Sequence, residues 1–118
     1  MAAKDELGRR GELLAAAHLE NRGFDVIDRN WRCRQGEIDL VARDGIEYVF
    51  VEVKTRSSEA FGTPLDAITP QKLARLQRLA VAWCASHLRT REVIRIDAIG
   101  IIAPRGGPIV IDHIERVS

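Results

Sequence analysis

The chain has 118 residues, of which 46% are hydrophobic and 30% charged, and a formal net charge of +1. That size is one domain, residues 1–118, able to bury roughly two thirds of the surface its unfolded chain exposes, and the composition excludes disordered and fibrous classes. So small a net charge also excludes nucleic-acid binding by bulk attraction, so any contact with phosphate must come from uneven charge distribution.

From about Asp5 to Arg22, Leu7, Leu14, Ala15, Ala16 and Leu19 recur at helical spacing, and Gly23 supplies a left-handed stop. This predicts a first helix. Glu12 shares a face with Ala15, Ala16 and Leu19, three, four and seven residues on, so an acid points inward or along the rim of a sheet. Gly8 and Gly11 each cost about 1 kcal/mol against Ala in a helix interior. They call for a late helix start or a close approach of the backbone to a neighbour. Met1 to Arg10 lacks the apolar stretch of a signal peptide, and no run is long enough to span a membrane. A cytoplasmic location is expected.

Phe24 to Trp31 reads as a first strand, Arg32 to Gly36 as a turn and Glu37 to Arg43 as a second strand. Asp44-Gly45 is the strongest hairpin signal in the chain, and Ile46 to Thr55 follows as a third strand. Alternation puts Val49, Val51 and Val53 on one face and Tyr48, Phe50, Glu52 and Lys54 on the other. With Asp44-Gly45 as a two-residue loop, Asp39 falls opposite Phe50 and diagonal to Glu52. Asp39, Glu52 and Lys54 then share a face. A register shift of two preserves that arrangement, whereas a shift of one moves the Asp to the opposite face.

Ser57 to Thr69 is a loop ending in Thr69-Pro70, a helix start with Thr as cap and Pro at the first position. The second helix extends to about Leu88. Leu73, Leu76, Ala80, Trp83 and His87 form its apolar seam, and Gln71, Arg75 and Arg78 an adjacent basic stripe. No acid occurs between Asp66 and Glu92, while Lys72, Arg75, Arg78, Arg89 and Arg91 do. Arg29, Arg32 and Arg34 form a second basic cluster. Each of these is singly an ordinary solvated residue; together they suit contact with a phosphate backbone, which positions a nucleic acid without reading its sequence. Glu92 to Ala103 and Pro108 to Glu115 are further strands around a turn at Pro104 to Gly107. A helical connection between the third and fourth strands favours a parallel crossover and a mixed sheet.

Cys33 and Cys84 lack the spacing of a zinc site or a disulfide framework and read as inert thiols of a reducing compartment. His18, His87 and His113 are scattered and do not read as general bases. Trp31 is either a core or rim residue or a platform for an unpaired base. Asp97 either supports a site from behind or is buried and hydrogen-bonded.

The unusual chemistry lies in Asp39 and Glu52. Two carboxylates about 4 Å apart repel by about 4 kcal/mol at an effective dielectric of 20, and a divalent cation turns that repulsion into attraction. Mg²⁺ is held by one or two carboxylates with water and phosphate in its other positions. The bland alternative is a solvated salt-bridge group worth about 0–1 kcal/mol per pair. Tyr48 and Phe50 on the same face argue against it.

Gly11-Glu12, Gly36-Glu37-Ile38-Asp39-Leu40-Val41-Ala42, Val49-Phe50-Val51-Glu52-Val53-Lys54-Thr55-Arg56 and Gln71-Lys72-Leu73 occur in that order. In this the chain resembles the PD-(D/E)xK nuclease superfamily over nearly its whole length, and in detail the YraN-like family of bacterial endonuclease-like proteins. Ile38 stands where the superfamily motif names a proline. The resemblance implies a restriction-endonuclease-like α/β fold, a mixed β-sheet of about five strands flanked by helices in the order α-β-β-β-α-β-β. It implies Glu12, Asp39 and Glu52 as ligands of Mg²⁺ or Mn²⁺ with the backbone carbonyl of Val53. Lys54 would orient or activate the attacking water and stabilise charge developing at phosphorus.

The expected function is metal-dependent hydrolysis of phosphodiester bonds, in DNA more than RNA, with Arg56, Gln71, Lys72, Arg75, Arg78, Arg32 and Arg34 against the backbone. Archaeal Holliday junction resolvases, to which the family is similar, suggest branched substrates, which would favour a two-fold homodimer. The rival expectation is a non-catalytic module that binds nucleic acid or a partner and retains a nuclease-like site.

Overall fold

A computed structural model describes residues 2–60, 62–88 and 93–118. The chain runs α1 (Ala2–Asn21), β1 (Asp25–Cys33), β2 (Gly36–Asp44), β3 (Glu47–Arg56), a short 3-10 helix (Pro64–Ala67), α2 (Pro70–His87), β4 (Val93–Ile102) and β5 (Val110–Ile114). The strands form one sheet in the order β1-β2-β3-β4-β5. β3 and β4 are parallel and the other pairs antiparallel, which is the mixed α/β sheet and element order expected from the sequence. The segment from Ser57 to His87, carrying both helical pieces, makes the return that a tight hairpin cannot.

The two helices give the sheet two cores. Ala15, Ala16 and Leu19 of α1 pack with Leu40, Ala42, Val49, Val51, Ile99 and Ile101. Leu76, Leu79, Ala80 and Trp83 of α2 pack with Ile38, Val41, Phe50 and Ile96. Leu79, absent from the expected seam, is fully buried, while His87 is exposed. Burying one Leu, Ile or Phe contributes about 1.5–3 kcal/mol, so these two layers hold the sheet against its entropy cost. The expected division of β3 holds: Val49 and Val51 face α1, Phe50 and Tyr48 face α2.

One turn differs from expectation. Asp44 pairs with Glu47, so the two-residue loop is Gly45-Ile46. Gly45 has a φ of 63° at the first central position, as a type II′ turn requires, and this leaves the β-branched Ile46 out of the left-handed region. The register therefore moves by two from Asp39 opposite Phe50. Arg43 meets Tyr48 and Leu40 meets Val51.

The start of α2 is as the sequence predicts. Thr69 Oγ1 accepts the Lys72 N–H at 3.2 Å and Pro70 opens the helix, satisfying one donor that the first turn leaves free. Arg89 and Arg91 lie outside the described residues. Among the described residues no helix is long and apolar enough to cross a membrane.

Gly11 accounts for the way α1 lies on the sheet. A Cβ there would stand 1.7 Å from Thr55 Oγ1 of β3, whereas one at Gly8 would have nothing within 4 Å. The helix does not start late; the backbone comes close. We expect Gly11→Ala to destabilise the protein by about 1–3 kcal/mol through overpacking. Gly8→Ala should instead stabilise it by about 0.5–1 kcal/mol through helix propensity. Urea unfolding of both variants checks the pair.

Candidate functional site

β2 and β3 pair only as far as Leu40 and Val51, although both strands continue. Beyond that point β2 stays with β1 down to Cys33 and Gly36, and β3 stays with β4 up to Arg56 and Ile102. The sheet forks. Past the fork the Val53 N–H has no ladder acceptor on β2, and Asp39 Oδ2 takes its place at 2.9 Å. Extending the register by one pair sets Asp39 opposite Glu52.

Alternation along β2 breaks at the same residue. Ile38 belongs to the α2-side core and Leu40 to the α1-side core, although they are two apart and would share one face of a regular strand. The register keeps the parity that a face shared by Asp39, Glu52 and Lys54 requires, and the break falls at Asp39 itself. Asp39 sits between the faces, where Glu12 from α1 and Glu52 from β3 both act on it.

The electrostatics are those of crowded acids. Burial first, and the Glu52 carboxylate second, push Asp39 up to about 7, against a smaller opposing effect of the Val53 hydrogen bond. Burial also raises Glu52, with Lys72, Arg75 and then Lys54 opposing. Glu12 is raised by burial, with a hydrogen bond from the Asn30 side chain opposing and Glu37 adding to the rise. The oxygens of Glu12, Asp39 and Glu52 do not all lie within 4.8 Å of one another. They are neighbours around the fork rather than a closed triad.

Lys54 and Val53 line a groove with Glu12, Arg56, Ser57 and Ser58. Arg56 Nε is buried in it without a hydrogen-bond partner. The charges of Lys72 and Arg75 act on Glu52 from α2. Lys72 Nζ also donates to the Ala67 carbonyl at 3.0 Å, and Arg75 lies over the backbone of Gly36. Gln71 and Arg78 are exposed on α2 and Arg34 in the β1–β2 turn. Arg32 pairs with Glu37 at 2.9 Å, so it offsets one of the acids instead of standing free.

A family model described as "Uncharacterised protein family UPF0102" matches residues 11–101. The chain belongs to the UPF0102 family. A UPF0102 protein of Leifsonia xyli subsp. xyli is 56% identical over 117 residues, covering 99% of both chains. Another, of Beutenbergia cavernae, is 51% identical over 118 residues and covers all of both, and one of Arthrobacter sp. is 50% identical over the same length. The matched span of this UPF0102 chain begins at Gly11, the contact glycine, and takes in Glu12, the fork and α2.

Away from the fork, the UPF0102 chain carries a second polar cluster that sequence reading treated as scattered. His113 Nε2 lies 2.7 Å from Asp97 Oδ2, and His113 Nδ1 lies 3.1 Å from His18 Nε2 and 3.0 Å from Arg22 Nη1. Asp97, His113 and Glu115 have donor atoms close enough to hold a metal, yet Asp97 is already saturated. Its oxygens take two bonds from the Arg95 guanidinium, one from the Arg116 N–H and the contact with His113. Arg95 also lies near Glu115, so cationic side chains fill the place of an ion. Asp97 thus has the buried, hydrogen-bonded role of the two expected for it.

Trp31 is half-buried, edge-on to His87 and packed on the α2-side core, as a rim residue would be. Cys33 donates to Gln35 Oε1 at 3.0 Å. Two residues that bear on the site escaped the sequence. Glu37 adds charge to Glu12, Asp39 and Glu52 and stood within the Gly36-to-Ala42 stretch without a role of its own. Asn30 was visible as a residue disfavoured within a strand.

Two outcomes follow from these charges. The folded UPF0102 protein keeps a proton on Asp39 that the unfolded chain releases near pH 4, so stability falls as pH rises from about 4 to about 7. The contribution reaches at most roughly 4 kcal/mol, and Asp39→Asn should flatten it in urea unfolding at pH 4.5 and 7.5 without added cation. Asp97→Ala takes from the buried Arg95 two of its hydrogen bonds and leaves Asp44 and Glu47 on Nη1 alone, and should cost about 3 kcal/mol, measured the same way.

Proposed function

We propose that this protein is a metal-dependent phosphodiesterase of nucleic acid, acting on DNA in preference to RNA, with the fork between β2 and β3 as its active centre. One observation carries the reading. Three carboxylates from α1, β2 and β3 are gathered at the end of a strand ladder, raised by burial and by neighbouring acids, beside a groove that holds Lys54 and Arg56. A fold gains nothing in stability from such crowding. A cation that the crowding attracts gives it a use.

The donor set fits a hard divalent ion, since every side-chain ligand is a carboxylate oxygen. Glu12, Asp39 and Glu52, with the Val53 carbonyl, would draw together to hold Mg²⁺ or Mn²⁺. When bound, the ion supplies charge neutralisation and Lewis acidity toward phosphoryl oxygen. The rest is done by the chain. Asp39 is fixed by the Val53 N–H, so its carboxylate is already oriented. Lys54 donates to the attacking water or to a phosphoryl oxygen and stabilises the charge that grows as the P–O bond breaks. Arg56 brings the charge of its guanidinium to the backbone phosphates along the groove, and Lys72, Arg75 and Arg78 continue the positive surface on α2. On this reading the fold belongs with the PD-(D/E)xK nucleases and the protein acts in the cytoplasm.

Asp39→Ala and Glu52→Ala should abolish cleavage of flap, junction, duplex or single-stranded substrates in Mg²⁺ or Mn²⁺ while circular dichroism stays native. Lys54→Ala should lower kcat by about 10²–10³ with the metal requirement unchanged. Full activity in either carboxylate variant overturns the assignment. Binding to DNA without cleavage in any divalent metal would favour the non-catalytic module instead.

A further inference from the structure

We infer that Asn30 is a positioning residue of the site, holding Glu12 toward the fork through its side chain and setting the break in β2 through its backbone. This rests on the reading of the fork as a metal site. Asn30 lies within β1, yet its φ is 52°. Of the described residues, only Arg116 shares a positive φ without being glycine. A left-handed residue inside a strand costs about 1–3 kcal/mol and persists where its surroundings demand it. Asn tolerates the conformation better than most residue types.

The register explains what is demanded. Arg29 pairs with Leu40 and Trp31 with Ile38, so Asn30 stands opposite Asp39. The left-handed residue of β1 and the alternation break of β2 thus face each other across one pair of strands. Leu40 turns to one core and Ile38 to the other, and Asp39 between them points to the fork. The Asn30 carboxamide also lies close enough to the Glu12 carboxylate to favour its charged form. The two share a pocket with Arg9, Leu13, Arg29 and Leu40. Glu12 also borders the groove of Lys54 and Arg56, so the amide holds it at the wall between the two hollows. One residue therefore bears on two of the three acids, and it touches neither substrate nor ion itself.

Substitution separates the two roles. Asn30→Gly keeps the left-handed backbone and removes the amide; Asn30→Asp keeps much of the backbone tolerance and faces Glu12 with a like charge. Both should melt close to the wild-type temperature. Mn²⁺ affinity, followed by calorimetry at fixed pH, should fall by about 10-fold or more in each, the size typical of losing a group that orients a ligand. In the metal-free protein, the Asn30 side-chain amide signals in a ¹⁵N-resolved NMR spectrum should move when Glu12 is changed to Ala.

Wild-type Mn²⁺ affinity in Asn30→Gly overturns the role of Asn30 and leaves the metal site standing. Amide signals indifferent to Glu12→Ala overturn the contact. Wild-type protein that binds no divalent ion, with the amide signals still coupled to Glu12, overturns the metal reading and the positioning role with it.

Discussion

A single hydrogen bond, from the Val53 N–H to Asp39 Oδ2, marks the constraint around which this protein is arranged. Backbone donors inside a sheet must be paired, because an unpaired buried N–H costs as much as a lost hydrogen bond. Where β2 leaves β3, that demand falls on a side chain. A neutral acceptor such as Asn could meet it, but a carboxylate is what the chain supplies, and it does so among other acids. The result is a strand end that is satisfied in its hydrogen bonding and overloaded in its charge.

The rest of the fold serves to keep that point open and occupied. The parallel joint between β3 and β4 carries β3 past the end of its pairing with β2, so Glu52, Val53 and Lys54 project from a strand still held on one side. The helix α1 comes close enough to bring Glu12 in only because Gly11 has no side chain against Thr55. On the other face, α2 brings Lys72 and Arg75 to Glu52. The acids are therefore partly balanced from one side, while on the other Glu12 borders an open groove. That asymmetry is what a binding site needs and a salt-bridge network does not have.

The contrast lies within the same molecule. Around Arg95, the carboxylates of Asp44, Glu47 and Asp97 meet a guanidinium whose side chain is 3% exposed. Every strong donor there has its acceptor, and the cluster ties the β2–β3 turn and the C-terminal segment to β4. Both clusters are acidic and both are near a sheet, but one is closed by Arg and the other is not. Residue type alone does not tell them apart.

What the sequence determined by itself was the element order, the mixed sheet and the residues worth watching. Helical spacing, the Thr69-Pro70 start and the Gly45 turn are local signals, and local physics reads them. The paired acids were visible because charge beside Phe50 and Tyr48 is costly in any half-buried strand. Tertiary structure alone decided the rest. It moved the turn by one residue, since only Gly takes the left-handed position cheaply, and it broke the alternation at Asp39 across from Asn30. It joined His18 to His113 across 95 positions of sequence. Register and strand divergence arise from pairing between distant segments, and no single segment carries that information.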